Sequence, residues 1–146
     1  MALRLSTGLR QALITTDDFK SLMDGGFLDI YSGSQPTNAD AIETGTLLCS
    51  ITTGTAGTAG ITFGTAASGI LPKSADGWQG TVLVAGVAGW ARLYGPGKTT
   101  GTNGTAYRMD MNAGLSGADL VLSHTNLVAD TIQTVKTFSI TQPANA

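Results

Sequence analysis

From residue 27 to residue 141 the apolar side chains recur at every second position, in short runs interrupted by glycine-rich segments. A period of two belongs to strands, whose successive side chains point to opposite sides of a sheet. In the run 88–94, Trp90, Arg92 and Tyr94 fall on one side, with Ala91 and Leu93 on the other. Tyr107, Met109 and Met111 alternate in the same way with Arg108, Asp110 and Asn112, which predicts a strand with one face in water. Runs at 27–31, 46–52, 61–63, 69–72, 81–85, 119–124 and 131–141 supply further strands, with Pro72 marking a strand end or an edge. Gly86 separates or bends the runs 81–85 and 88–94. The pattern gives seven to nine strands at intervals of about 8–15 residues, with no crossover helices between them. The expected fold is therefore mainly β: an antiparallel β-sandwich, jelly-roll-like in order.

The first 26 residues follow another period. Leu5, Leu9 and Leu13 recur every fourth position with Ala12 beside them, so residues 3–14 read as a short amphipathic helix. Thr15 or Thr16 is positioned to cap a second helical turn, and Asp17 and Asp18 then sit where the helix dipole favours anions. Phe19, Leu22 and Met23 form its buried side, and Gly25-Gly26 stops it. A helix this short is marginal alone in water and needs a surface to lie on. Two surfaces are open to it: the domain's own core, or a neighbouring subunit. In the second case Leu5, Leu9, Leu13, Phe19 and Leu22 are the partner-packing residues. The chain divides on this reading into an N-terminal helical arm (1–26), a β-sandwich domain (27–142) and a loose tail (143–146).

Charge excludes more than it suggests. Only 12% of the residues are charged, about half the usual share of roughly 25%, and threonine, serine, asparagine and 20 glycines supply the polarity instead. The net charge is −2, and the eight basic residues are scattered singly. With no basic stripe to neutralise phosphates, no nucleic-acid partner is expected. No run of about 18 apolar residues exists, so no membrane-spanning helix is expected. Residues 1–8 lack the apolar stretch of a secretory leader, and Cys49 is the only cysteine. A single cysteine excludes an internal disulfide and a cysteine-built metal site, and the expectation is synthesis in a reducing cytosol.

The chemistry-bearing residues form no catalytic constellation. Gly97-Lys98-Thr99 looks like part of a phosphate loop, but Arg92 stands where the earlier glycine is required, and Thr100-Gly-Thr-Asn-Gly104 is hostile to the helix that must follow. His124 is the only histidine, and no Gly-x-Ser-x-Gly elbow presents a serine to it. Asp17, Asp18, Asp29, Glu43, Asp110 and Asp119 show neither the pairing of a glycosidase nor the clustering of a calcium loop. Asn103-Gly104-Thr105 matches a glycosylation sequon, read as chance without a leader. The small-residue tract 54–60 reads as a loop or extended edge. Cys49 reads as a small buried hydrophobe. Trp78, Trp90, Tyr94 and Tyr107 read first as core and half-buried sheet positions, and second as a carbohydrate platform. No enzyme activity, cofactor or metal is expected.

Several phrases carry a resemblance. Asp29-Ile-Tyr-Ser-Gly-Ser-Gln-Pro36 after a short helix, Thr44-Gly-Thr-Leu-Leu48, Gly64-Thr-Ala-Ala67-Ser-Gly and Gly89-Trp-Ala-Arg-Leu-Tyr94 resemble small virion proteins of tailed bacteriophages, and among them the capsid decoration or cement proteins. The resemblance implies a small β-sandwich or jelly-roll domain that binds outside an icosahedral shell as a homodimer or homotrimer. Its partners would be the major capsid protein and itself, and its location the virion surface after synthesis in the host cytoplasm. The resemblance transfers no functional residue. Alternatives are a tail or adaptor β-domain of a virion, and a carbohydrate-binding β-sandwich that stacks sugars on Trp78, Trp90 and Tyr94.

Overall fold

The strand pattern becomes a sheet because each run finds an antiparallel neighbour in register. The structure, a computed structural model, describes residues 3–54 and 58–141; the expected tail at 143–146 and the middle of the small-residue tract lie outside the described residues. In chain order the elements are β1 (Arg4–Leu5), α1 (Thr7–Thr15), α2 (Phe19–Met23), β2 (Phe27–Ser32), β3 (Leu47–Thr53), β4 (Ile70–Pro72), β5 (Trp78–Thr81), β6 (Gly86–Tyr94), β7 (Arg108–Gly114), β8 (Leu120–Val121), β9 (Asn126–Leu127), β10 (Ile132–Val135) and β11 (Ser139–Thr141). The fold is mainly β and antiparallel, as expected, with two short helices near the N-terminus. A nine-stranded sheet runs β1-β7-β6-β2-β3-β5-β10, with β8 beside β7 and β9 beside β6, and β11 pairs with β4 in a second sheet. Only β7 and β8 run parallel among the paired strands described.

Register assigns the two faces. Ile51, Leu28, Leu93, Met109 and Leu5 lie opposite one another in sequence across β3, β2, β6, β7 and β1, forming an apolar row. One residue along, the row is Ser50, Asp29, Arg92, Asp110 and Arg4. A slip of one residue in any strand would exchange these rows, so the apolar face and the charged face specify register together. Gly89 allows the close approach at the β2–β6 irregularity, where a Cβ would overlap the Gly33 carbonyl.

The N-terminal helices lie on the domain's own core. Leu9, Ala12, Leu22 and Met23 belong to the same buried cluster as Leu28, Leu93 and Met109, and Leu5, Leu13 and Phe19 pack partly buried against it. Residues 1–26 are thus joined to the core of residues 27–141 over the part described. The first helix begins at Thr7 because Arg4 and Leu5 pair with Asp110 and Met109. Ser6 caps it, with its Oγ accepting from the Leu9 amide at 3.2 Å. Asp18, not Thr15 or Thr16, caps α2, accepting from the Ser21 amide at 2.8 Å; a carboxylate there also meets the helix dipole. Gly25, at φ +85, ends the helical pair.

Four expected runs are cut differently. The run 61–63 makes only isolated bridges, Ile61 with Gly26 and Phe63 with Lys73. The run 81–85 ends as a strand at Thr81, where Val82 makes a single bridge to Cys49 before Gly86 starts β6. The run 119–124 reduces to β8. The run 131–141 divides into β10, paired with β5, and β11, paired with β4, with Phe138 buried between them. Phe138 turns inward to pack on Trp78, at 5.8 Å between ring centroids, and on Phe63, at 6.5 Å.

Candidate functional site

The charged face of the sheet was expected to meet water along β7. It does not: Arg108 and Asp110 are 0% exposed, as are Asp29 on β2 and Arg92 on β6. Two segments, 33–46 and 95–106, lie over this face and bond to it. Arg92 makes a two-pronged ion pair with Asp110, Nε donating to Oδ1 at 2.6 Å and Nη2 to Oδ2 at 2.9 Å. Its Nη1 donates to the Ala41 carbonyl at 2.9 Å and to Glu43 Oε1 at 3.1 Å. Arg108 donates to the Thr99 carbonyl at 2.7 Å. Lys98 pairs with Asp29, whose other oxygen accepts from Ser50 Oγ at 2.6 Å. Glu43 also accepts from the Tyr94 hydroxyl at 2.7 Å and, through Oε2, from the Gly101 amide at 2.9 Å. Glu43 thereby latches the first segment to β6 and to the second segment at once.

The electrostatics are those of a closed network. Three cations (Lys98, Arg92, Arg108) and three anions (Asp29, Glu43, Asp110) make the set neutral; Arg92 and Lys98 carry the ion pairs, and Arg108 donates to backbone carbonyls. Burial works against the Glu43 carboxylate, but the Gly101 amide and the Tyr94 hydroxyl hold its pKa below the ordinary value. Burial pushes the Asp110 carboxyl above its ordinary value, against the pull of Arg92. Burial raises the Tyr31 hydroxyl to about 12, and Tyr94 moves in the same direction; the two hydroxyls stand 3.1 Å apart. Tyr31 stacks on Trp90 at 4.7 Å, and Arg92 lies 5.4 Å from the Trp90 ring, which adds dispersion and cation–π attraction. Carboxylates held this way in ion pairs and hydrogen bonds act as struts, and none stands free as a general base. Beside the network lies an open depression of ≈ 200 Å³ lined by Tyr94, Pro96, Lys98, Thr99, Thr105 and Tyr107. Its one cation, Lys98, is already engaged by Asp29.

The other residues singled out by sequence fall in the core, beside this network, or at the surface. Leu9 and Leu22 are core residues, and Leu5, Leu13 and Phe19 are half-buried against that core. His124 stands at the surface with Ser123 Oγ 3.1 Å from Nδ1, and no carboxylate is bonded to that imidazole among the described residues. Burial pushes the Cys49 thiol up to about 12. Trp78 and Trp90 are wholly buried and donate their indole N–H groups to the Thr62 and Thr44 carbonyls, both at 3.1 Å. With Tyr94 also buried, the stacking faces of the carbohydrate reading point into the protein. Asn103 Oδ1 accepts from the Thr105 and Ala106 amides, a side-chain-closed turn. Among the described residues no three His, Cys, Asp or Glu side chains converge as a metal site would need. No described helix is long and apolar enough to cross a membrane.

The sequence reading missed the network, although its signal is present. Of eight basic and ten acidic residues, six meet here. Four of them interrupt strands that are otherwise apolar or small. On the outer surface Leu83, Val84, Val87, Val128 and Ile132 are exposed on adjoining segments. Comparison with family models, with curated proteins and with solved structures found no match.

Proposed function

We propose that this chain is a non-enzymatic virion structural protein: it binds the outside of an icosahedral phage capsid and bridges neighbouring shell subunits, as a cement or decoration protein. The observation that carries the non-enzymatic part is the closed network. Its ionisable side chains are engaged by one another or, for Arg108, by backbone carbonyls of the segments 33–46 and 95–106, while five exposed apolar side chains adjoin on the outer surface. A domain so arranged is suited to rigid display of a surface. The capsid part rests on the resemblance of the phrases at 29–36, 44–48, 64–69 and 89–94 to small virion proteins. Physically, a shell under internal pressure gains strength from clamps that must break before subunits separate, and many weak identical contacts add through multivalency. A low charge density lets copies crowd on the shell without mutual repulsion. The partners are the major capsid protein and further copies of this chain.

The test is the copy number of this protein relative to the major shell protein in purified particles. A ratio near one, or a simple fraction matching a symmetry axis, supports decoration. A handful of copies per particle moves the protein to the tail or an adaptor, and absence from particles removes the virion reading.

A further inference from the structure

Five large apolar side chains, Leu83, Val84, Val87, Val128 and Ile132, are between 46% and 61% exposed. They sit on two segments that the backbone binds together. The Val82 amide donates to the Thr131 carbonyl at 2.8 Å and the Asp130 amide to the Val82 carbonyl at 2.9 Å. Thr81 lies opposite Ile132, and Val87 opposite Asn126. The patch borders β10, the last strand of the large sheet, and no strand lies on the outer side of β10 among the described residues. Edge strands are ordinarily protected by lysine, proline or a bulge. Residues 132–135 read Ile-Gln-Thr-Val and pair with β5 without a register shift, so β10 carries none of these. The opposite edge, β1, carries Arg4 and runs straight into α1.

Charge and area point to one occupant. Within residues 81–88 and 125–135 the only charged side chain is Asp130. A two-fold contact brings a patch against itself, and an uncharged patch is the kind that meets its own copy without repulsion. The five side chains expose on the order of 500 Å² of apolar surface, at the upper end for a monomer. Buried on both copies this removes about 1,000 Å², the lower bound for a specific interface, before any strand pairing is added.

We propose that this patch and the open edge of β10 are where a second copy of this chain docks, with β10 of one protomer antiparallel to β10 of its partner. The inference rests on the proposed function only for its purpose in a particle, and narrows self-association there from dimer or trimer to a two-fold dimer. The test is sedimentation velocity of the full chain from low to high micromolar concentration, beside Leu83→Asp, Val128→Asp and, as a control elsewhere on the surface, Leu115→Asp. The wild-type chain and L115D are expected to be dimers. L83D and V128D place a charge where it meets its own copy, and their dissociation constants should rise at least about a hundredfold. Both side chains are exposed and lie outside the strands, and circular dichroism checks that the variants remain folded. Hydrogen exchange at residues 132–135 should slow with concentration in the wild type and not in L83D. A wild-type monomer, a trimer, or undiminished dimers in both charged variants would overturn the proposal. A monomer that still decorates particles refutes this inference alone, whereas a dimer absent from particles refutes the capsid reading alone.

Discussion

Arg92 is the residue whose replacement tests the buried network most directly. Its guanidinium is 0% exposed and gives two hydrogen bonds to Asp110, itself 0% exposed. Arg92→Met keeps an unbranched side chain of similar reach but leaves the Asp110 carboxylate buried with no donor from the described side chains. Removing one partner of a buried pair costs about 3–5 kcal/mol. Against a total stability of about 5–15 kcal/mol for an ordinary domain, that is a large share. At roughly 2–4 °C per kcal/mol for a chain near 150 residues, the midpoint should fall by about 6–20 °C. Arg92→Met with Asp110→Leu should regain part of the loss, because the stranded carboxylate is gone and Glu43 keeps its bonds to Tyr94 and Gly101, while Arg108 keeps its carbonyl acceptors but loses the attraction of Asp110. Urea unfolding followed by the fluorescence of Trp78 and Trp90, both interior, measures each free energy, with far-UV circular dichroism as a second probe because Arg92 adjoins Trp90. A loss below about 1 kcal/mol in the single variant would mean that water screens the pair, as it does for surface ion pairs. A double variant as unstable as the single would assign the loss to hydrogen bonds rather than to the stranded charge.

Two further expectations concern the latch and the arm. Glu43 titrates below its ordinary 4.5 in the fold, so its contribution is full above that value and is lost as pH falls through the lower, folded pKa. Glu43→Gln should therefore flatten the acid-side fall of stability in urea titrations at successive pH values, while Asp110, raised by burial, contributes the opposite slope in both proteins; an unchanged profile would remove Glu43 as the latch. Leu9→Ala should lower the unfolding free energy by about 2–5 kcal/mol, as for a fully buried leucine, and Leu13→Ala by less because Leu13 is half-buried; equal, negligible losses would return both residues to a surface that waits for a partner.

Local alternation along β6 and β7 was legible because period two needs only neighbouring residues: Trp90, Arg92 and Tyr94 do share a face, opposite Ala91 and Leu93. What that face meets depends on residues 40–60 positions away, and no local pattern reports it. Arg108 and Asp110 alternate with Met109 and Met111 as water-facing residues would, yet Ala39, Ala41 and Glu43 come over this face from the segment 33–46. The arm shows the same limit from the other side. Its Leu5–Leu9–Leu13 spacing declared an apolar stripe, but whether that stripe met this chain or another was undecided until Ser6 was seen to bond Ala106 and Arg108, a hundred residues on. One clue was nonetheless available. In a chain with so few charges, placing Asp29, Arg92, Arg108 and Asp110 inside strands is expensive unless they meet, because a lone buried charge costs several kcal/mol. Scarcity of charge, combined with charge at in-register strand positions, is thus a signal for a buried ionic layer. The same scarcity left the 81–88 and 125–135 segments almost free of charge, so the layer that stiffens the sheet and the patch that can meet a partner follow from one compositional bias.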